Sequence, residues 1–401
     1  MGKPGNLALM RPPEPNPHAS EPIGTVRQMY DGALTPELAV NTFRNIERLF
    51  PVRRIARSSR PLPLPRAEIA LDAVRFTDRG RECGLVEFLA RERVAGMLVL
   101  QDGRIRLEHY RLGNTERTRW MSMSVAKSIT STLVGAALHE RHIGSLDDPL
   151  PRYVPALAGS AYAASSVREV LMMASGVRWN ETYTDPRSDR RRLLEAQIAQ
   201  RPGVALALMA SLPRAAPPGT VNLYSTGETQ VVGEVLRGAV GRPLADYLHE
   251  RIWNRVGMEA DATWWLDSPE GIEIAGSGIS ATLRDYGRFG LFLLADGVAG
   301  GERILPEGWV AEATRARALR DGSRPDYGYL WWTAETADAR RDHAFEAVGI
   351  FGQHLYVNPA ARVVIVLWRA NPLPRDPDAI EPAAFFDAVV AFLRREPGEP
   401  G

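Results

Sequence analysis

The stretch MSMSVAKSITSTLVGAALHE (121–140) decides how this chain is read. From Ser124 onward, small and apolar residues run without a proline through SITSTLVGAAL, which predicts a helix beginning near Ser124 and stopping before Gly144. Side chains three apart on a helix share a face, so the Lys127 amine can reach the Ser124 hydroxyl. A serine hydroxyl is a weak nucleophile until a neighbouring base takes its proton. A helix N-terminus adds free N–H groups and the positive end of the peptide dipole, which favour negative charge developing beside the serine. Ser124 is therefore the candidate nucleophile and Lys127 its candidate base.

Composition adds weight to Lys127. Lysine and arginine together number 49, and only two of these, Lys3 and Lys127, are lysine. Arginine cannot be deprotonated in a protein, whereas a partly buried lysine can lose its proton and act as a base. A position that stays lysine in such a chain needs something arginine cannot supply. The 401 residues are 45% hydrophobic and 24% charged, a globular balance with material for a large core. A net charge of +1 gives no electrostatic reason to expect nucleic acid or an anionic membrane as partner. The single cysteine, Cys83, excludes an intrachain disulfide and has no cysteine partner for a metal. The N-terminal MGKPGNLALMRPPEPNPHAS lacks a signal-peptide core, and no later run approaches the ~20 apolar residues of a membrane span. A soluble, cytoplasmic protein is expected.

Working outward, AGMLVLQDGRIRLEHYRLG (95–113) reads as a hairpin, two strand-like runs around Asp102-Gly103. Upstream, NTFRNIERLF (41–50) has helical spacing, with Phe43, Ile46 and Phe50 on one side. ARSSRPLPLPRAE (56–68) reads as an extended linker. Residues 1–40 form an N-terminal extension, its first part rich in proline and polar residues, expected to be loosely ordered. Downstream, SSVREVLMMAS (165–175) and ETQVVGEVLRGAV (228–240), the latter ending at Gly241, have helical patterns. GQHLYVNPAARVVIVLWRA (352–370) is a second hairpin turning at Asn358-Pro359, and VVIVLW has the continuous apolar run of a central strand. PAAFFDAVVAFLRR (382–395) is an amphipathic closing helix. The order implies an α/β (α+β) fold. An antiparallel sheet flanked by helices is built from about 41–144 and 271–401, with a largely helical region inserted over about 145–270.

Two further elements carry chemistry. Tyr224-Ser225-Thr226 precedes the 228–240 helix; a tyrosine near a lysine can relay protons, and a hydroxyl two residues on can point into the same site. Ala347-Val348-Gly349-Ile350-Phe351-Gly352-Gln353 leads into the C-terminal hairpin, where glycines permit close approach and a strand edge can offer N–H groups to a carbonyl oxygen. Other chemistries lack support. None of the seven histidines forms a His-Glu-x-x-His pair, no Gly-x-Ser-x-Gly is present, and no glycine-rich phosphate loop follows a strand. GSGIS (276–280) reads as a turn, and Glu181, Asp185 and Asp189 read as solvated surface charges.

In this order, Ser-x-x-Lys, Tyr-x-Thr and a glycine-containing strand entry, the chain resembles the serine beta-lactamase and penicillin-binding-protein superfamily. It resembles in particular the class C and esterase-like branch that holds 6-aminohexanoate-dimer hydrolases and related carboxylesterases. The likeness runs over roughly residues 40–395 and includes VREVLMMASGVRWNETYTDPRSD, GSGISATLRDYGRFG, YGYLWW and GIFGQHLYVNP. It implies a serine hydrolase in which Ser124 is acylated, Lys127 accepts its proton and Tyr224 assists proton transfer. The backbone N–H groups of Ser124 and Ile350 would form the oxyanion hole. It further implies Tyr183 as an aid to the leaving amine, with Thr226, Gly349 and Trp331 (beside Trp332) lining the substrate pocket. No cofactor or metal is implied; the partner is a small ester or amide, and a homodimer is compatible with the sequence. Two departures stand out. The family's Lys-Thr-Gly is Ala347-Val348-Gly349 here, which removes the cation that would meet a β-lactam carboxylate, and Tyr-x-Asn is Tyr224-Ser225-Thr226. Both favour esters or small linear amides over antibiotics. A non-catalytic sensor or binding protein and a D-amino-acid peptidase stay open as alternatives, separable by turnover of an activated ester and of a D-Ala-D-Ala peptide.

Overall fold

The computed structural model describes residues 15–395. Ten strands build its two main sheets: β1 Val52–Ile55, β2 Val94–Gln101, β3 Arg104–Tyr110, β4 Arg119–Met121, β5 Ala262–Trp265, β6 Ile279–Thr282, β7 Trp332–Thr333, β8 Phe345–Gly349, β9 Gln353–Asn358 and β10 Val363–Arg369. The larger sheet is antiparallel in the order β7-β8-β9-β10-β2-β3, so both ends of the chain contribute neighbouring strands. Both hairpins form as expected. Asp102 and Gly103 turn the first with φ of +49° and +74°, the left-handed pair that matches strand twist.

β10 is central, between β9 and β2, and its apolar run is explained by burial on both faces. Val364, Val366 and Trp368 join one core, while Val363, Ile365 and Leu367 join the other. β2 alternates in the same way, with Leu98 and Leu100 on one side and Met97 and Val99 on the other. The first face is covered by the helix Leu283–Leu294, which touches β2, β9 and β10. The second is covered by Leu85–Arg91 and the closing helix Ala383–Arg395.

The smaller sheet has the order β1-β5-β6-β4. β5 lies inside the stretch expected to be helical (145–270), so that region is helical only up to about residue 256. Trp120 of β4 ties the sheets together, stacking on Trp368 of β10 at 5.6 Å and donating to Gln353 Oε1 at 2.8 Å. The proline-rich segment 56–68 does not separate domains. It lies beside β3, with Ala67 N donating to Ile105 O (2.9 Å) and Ile105 N to Pro65 O (2.9 Å), and so covers a sheet edge.

The expected looseness of residues 1–40 is corrected for the part described. From residue 15 the segment is anchored, with helices Val26–Tyr30 and Pro36–Arg44 capped by Thr25 and Thr35. Met29 and Tyr30 are buried, and Arg44 pairs with Glu21 at 2.7 Å. Proline-rich composition hid this because a few buried side chains and ion pairs hold the segment, without an apolar run. Residues 1–14 lie outside the described part.

Candidate active site

Ser124 sits where the small sheet turns into the buried helix Val125–His139. β4 ends at Met121, Ser122 N donates to Ile279 O at 2.8 Å, and Met123 takes a left-handed φ of +43°. A non-glycine residue there is strained, and such strain persists where the surroundings over-determine it. Ser124 is the N-cap residue but its hydroxyl does not cap the helix, which leaves the oxygen free for Lys127. The Lys127 amine donates to Ser124 Oγ at 2.7 Å and to the Gly276 carbonyl at 3.0 Å. Lys127 is only 1% exposed. Burial pulls its pKa from 10.5 down to about 7, with the Glu181 charge opposing and the Arg190 charge adding to the fall.

Tyr224 precedes the helix Thr226–Val240, whose N-cap Ser225 accepts from Glu228 N at 3.1 Å. Lys127 Nζ lies 5.2 Å from the Tyr224 ring centroid. Trp332 stacks on Tyr224 at 5.5 Å, and Tyr327 meets it edge-on at 6.1 Å. Burial first, then the Glu181 charge, raise the phenol's pKa, while the Ser124 hydroxyl works in the opposite direction. The phenol is therefore protonated at neutral pH, beside the serine and the lysine.

Gly349 closes β8 against the serine turn. A Cβ at Gly349 would lie 2.5 Å from Ser122 O and 3.2 Å from Met123 Cβ, so only glycine permits this approach. The chain then passes Ile350 and turns through Phe351 (φ +65°) and Gly352 (φ +86°). Among the described residues, neither Ser124 N nor Ile350 N donates to another group. Each is flanked by a left-handed residue, Met123 on one side and Phe351 on the other.

Three expectations for the pocket change. Trp331 is 1% exposed and packs edge-on against Phe345 at 5.2 Å in the core, so its neighbour Trp332 is the one against Tyr224. Side chains alternate along a strand, and the sequence did not say which of the pair faced in. Thr226 turns its hydroxyl to Glu181 Oε1 at 2.5 Å, and its backbone N donates to Glu181 Oε2 at 2.9 Å. Gly349 shapes the approach of two backbone segments. Tyr183 is buried near the site, its ring 6.2 Å from Tyr30, and its pKa is raised by burial, then by Glu181 and Tyr224.

Glu181, read from sequence as a solvated charge, is 12% exposed and also accepts from Trp179 Nε1. It ties the Tyr183 loop to the start of the Tyr224 helix. Its partner Thr226 lies 45 positions away, so no local pattern could reveal it. The Gly276 carbonyl, in the turn before β6, was likewise missed as the second anchor of Lys127. Tyr30 also borders the site, against Phe351 at 6.4 Å and beneath the Arg190 guanidinium at 4.8 Å. Among the described residues, no group of three or more His, Cys, Asp or Glu could hold a metal ion. No helix there is long and apolar enough to cross a membrane.

A paired antiparallel sheet, a helical lobe and a lysine-bound serine at the start of the buried helix define a serine hydrolase of beta-lactamase-like fold. The chain belongs to the Beta-lactamase family, whose sequence profile matches residues 85–385. It is 32% identical over 295 residues to the 6-aminohexanoate-dimer hydrolase of Paenarthrobacter ureafaciens, covering 70% of this chain and 73% of that one. A solved structure described as a 6-aminohexanoate-dimer hydrolase from Bacillus anthracis superposes with a TM-score of 0.76 at 24% identity, over 90% of this chain and 96% of that one. A family VIII carboxylesterase superposes with a TM-score of 0.58 at 18% identity, over 76% and 93% of the two chains. These two structural likenesses speak to fold alone.

Proposed function

We propose that the protein hydrolyses carboxylic esters or small linear amides through an acyl-enzyme on Ser124. The observation that carries this reading is the buried Lys127 amine 2.7 Å from Ser124 Oγ, with its pKa lowered to about 7. Unprotonated Lys127 takes the Ser124 proton as Oγ attacks the substrate carbonyl. The oxyanion accepts hydrogen bonds from Ser124 N and Ile350 N, which have no competing acceptor among the described residues. The Tyr224 phenol delivers a proton to the departing oxygen or nitrogen and is restored from Lys127. In the second half a water gives its proton to the same relay, attacks the acyl carbonyl, and Ser124 leaves with its proton returned. Tyr183 lines the leaving-group side beside Tyr224. The named activity of the Paenarthrobacter relative supports the amide side of this reading.

Turnover of p-nitrophenyl butyrate tests it. Ser124→Ala is expected to abolish turnover, and Tyr224→Phe to slow it by about 10²-fold or more with the fold retained by circular dichroism. Full activity in folded Ser124→Ala would refute the mechanism.

A further inference from the structure

Ser124 N and Ile350 N follow strands of different sheets, and two amides stabilise one oxyanion only when both point at the same spot. Between the two segments lies Gln353, the first residue of β9 and 1% exposed. Its amide oxygen accepts from Trp120 Nε1 at 2.8 Å. Its nitrogen donates to Phe351 O at 3.0 Å and to Arg369 O at 2.8 Å. An indole N–H only donates and a backbone carbonyl only accepts, so these partners fix which end of the amide is oxygen. Both amide hydrogens and the oxygen are therefore used, as burial of a polar group demands. Trp120 stands four residues before Ser124, and Phe351 follows Ile350 directly. One side chain thus joins the strand leading into the serine turn to the turn that carries the second amide. Each end is itself held. Trp120 stacks on Trp368 at 5.6 Å and meets Phe43 edge-on at 5.8 Å. Phe351 O also accepts from Asn371 N at 3.3 Å, and Phe351 N donates to Pro374 O at 3.1 Å. A methionine or leucine would serve to fill this part of the core; what the amide adds is direction.

We propose that Gln353 is a positioning residue for the reaction, its buried amide holding the serine turn and the Ile350 turn in one register so that Ser124 N and Ile350 N converge on a single oxygen. This rests on the Ser124 acyl-enzyme reading and adds to it a residue that acts through others, without touching substrate. Phe351 has a left-handed φ of +65°, which a non-glycine residue leaves unless its neighbours hold it. The bond from Gln353 Nε2 to the Phe351 carbonyl supplies part of that hold. Without it, residues 350–352 relax and the Ile350 N–H swings away from the oxyanion. A misplacement of ~1 Å in such a group costs up to ~10²-fold in rate.

The test measures kcat/KM for p-nitrophenyl butyrate and Ki for butylboronic acid in wild type, Gln353→Met, Trp120→Phe and Thr314→Val. Ser124 Oγ adds to the boron and its proton passes to Lys127; no bond of the boronic acid breaks, and the tetrahedral anion places an oxygen where the oxyanion would lie. Gln353→Met keeps the bulk and loses all three hydrogen bonds. Trp120→Phe keeps an aromatic ring and removes only the donor to Oε1, so it carries the test if the methionine variant does not fold. Thr314→Val removes a buried hydrogen bond to Val310 O (2.8 Å) in a helix outside the site and controls for lost stability alone. We expect Gln353→Met to lower kcat/KM about 30-fold and to raise the boronate Ki by a similar factor. Trp120→Phe should move both in the same direction by about fivefold, and Thr314→Val should move neither. Unchanged values in folded Gln353→Met, or in Trp120→Phe where that variant carries the test, would overturn the proposal, as would a fall in kcat/KM with the boronate Ki unmoved. Either result would leave Ser124 catalysis standing. Failure of folded wild type both to turn over the ester and to bind the boronic acid would instead overturn the Ser124 reading, and this inference with it.

Discussion

At the scale of single residues, the proposed mechanism depends on the protonation of Lys127. A base must be unprotonated to act, so kcat/KM is expected to rise with pH through about 7 as Lys127 loses its proton. Lys127→Arg keeps the charge and removes the base; turnover should fall to background, and near-normal turnover would refute the assignment. Glu181 raises the Lys127 pKa through its negative charge. Glu181→Gln keeps an acceptor for Thr226 but loses that charge, so the rising limb of the pH–rate profile should move to lower pH. A limb that stays in place or moves up would show that Glu181 acts only as a structural tie. Ser124 and Lys127 were legible because their spacing is local and lysine is rare in this chain. Glu181 was not, because its role comes from partners brought together only by the fold.

At the scale of elements, the proposed mechanism depends on two joints, the turn from β4 into the Ser124 helix and the end of β8. Both hairpins and the helices that follow Ser124 and Tyr224 could be read from period and punctuation, which are local properties. The close approach of β8 to Ser122 could not, although Gly349 marked the position. Gly349→Ala is expected to push β8 away from the serine turn, since its Cβ would lie 2.5 Å from Ser122 O. The oxyanion amides would then be misplaced, and about 10²-fold loss of kcat is expected with the secondary structure intact. Wild-type kcat in this variant would mean that the Ile350 amide does not serve the reaction.

At the scale of the whole molecule, the candidate active site is assembled from distant parts of the chain: the serine helix, the Tyr183 loop, the Tyr224 helix, β8 and the N-terminal segment. The sheet's composition from both chain ends was legible in the order of elements. The packing of residues 15–40 was not, since polar and proline-rich sequence gave no periodic signal. Tyr30 is 3% exposed between Tyr183, Phe351 and Arg190. Tyr30→Ala should cost about 3 kcal/mol in chemical denaturation and lower kcat as well, with Tyr30→Phe restoring most of the stability. No loss of stability in Tyr30→Ala would show that the segment is only laid on the surface. The most direct test of the central claim is to label the native protein with a fluorophosphonate and locate the adduct by peptide mass spectrometry. The account requires one adduct, on Ser124, that forms faster as pH rises through about 7 and is lost in Lys127→Arg. Label on another residue, or none on folded protein, would contradict it.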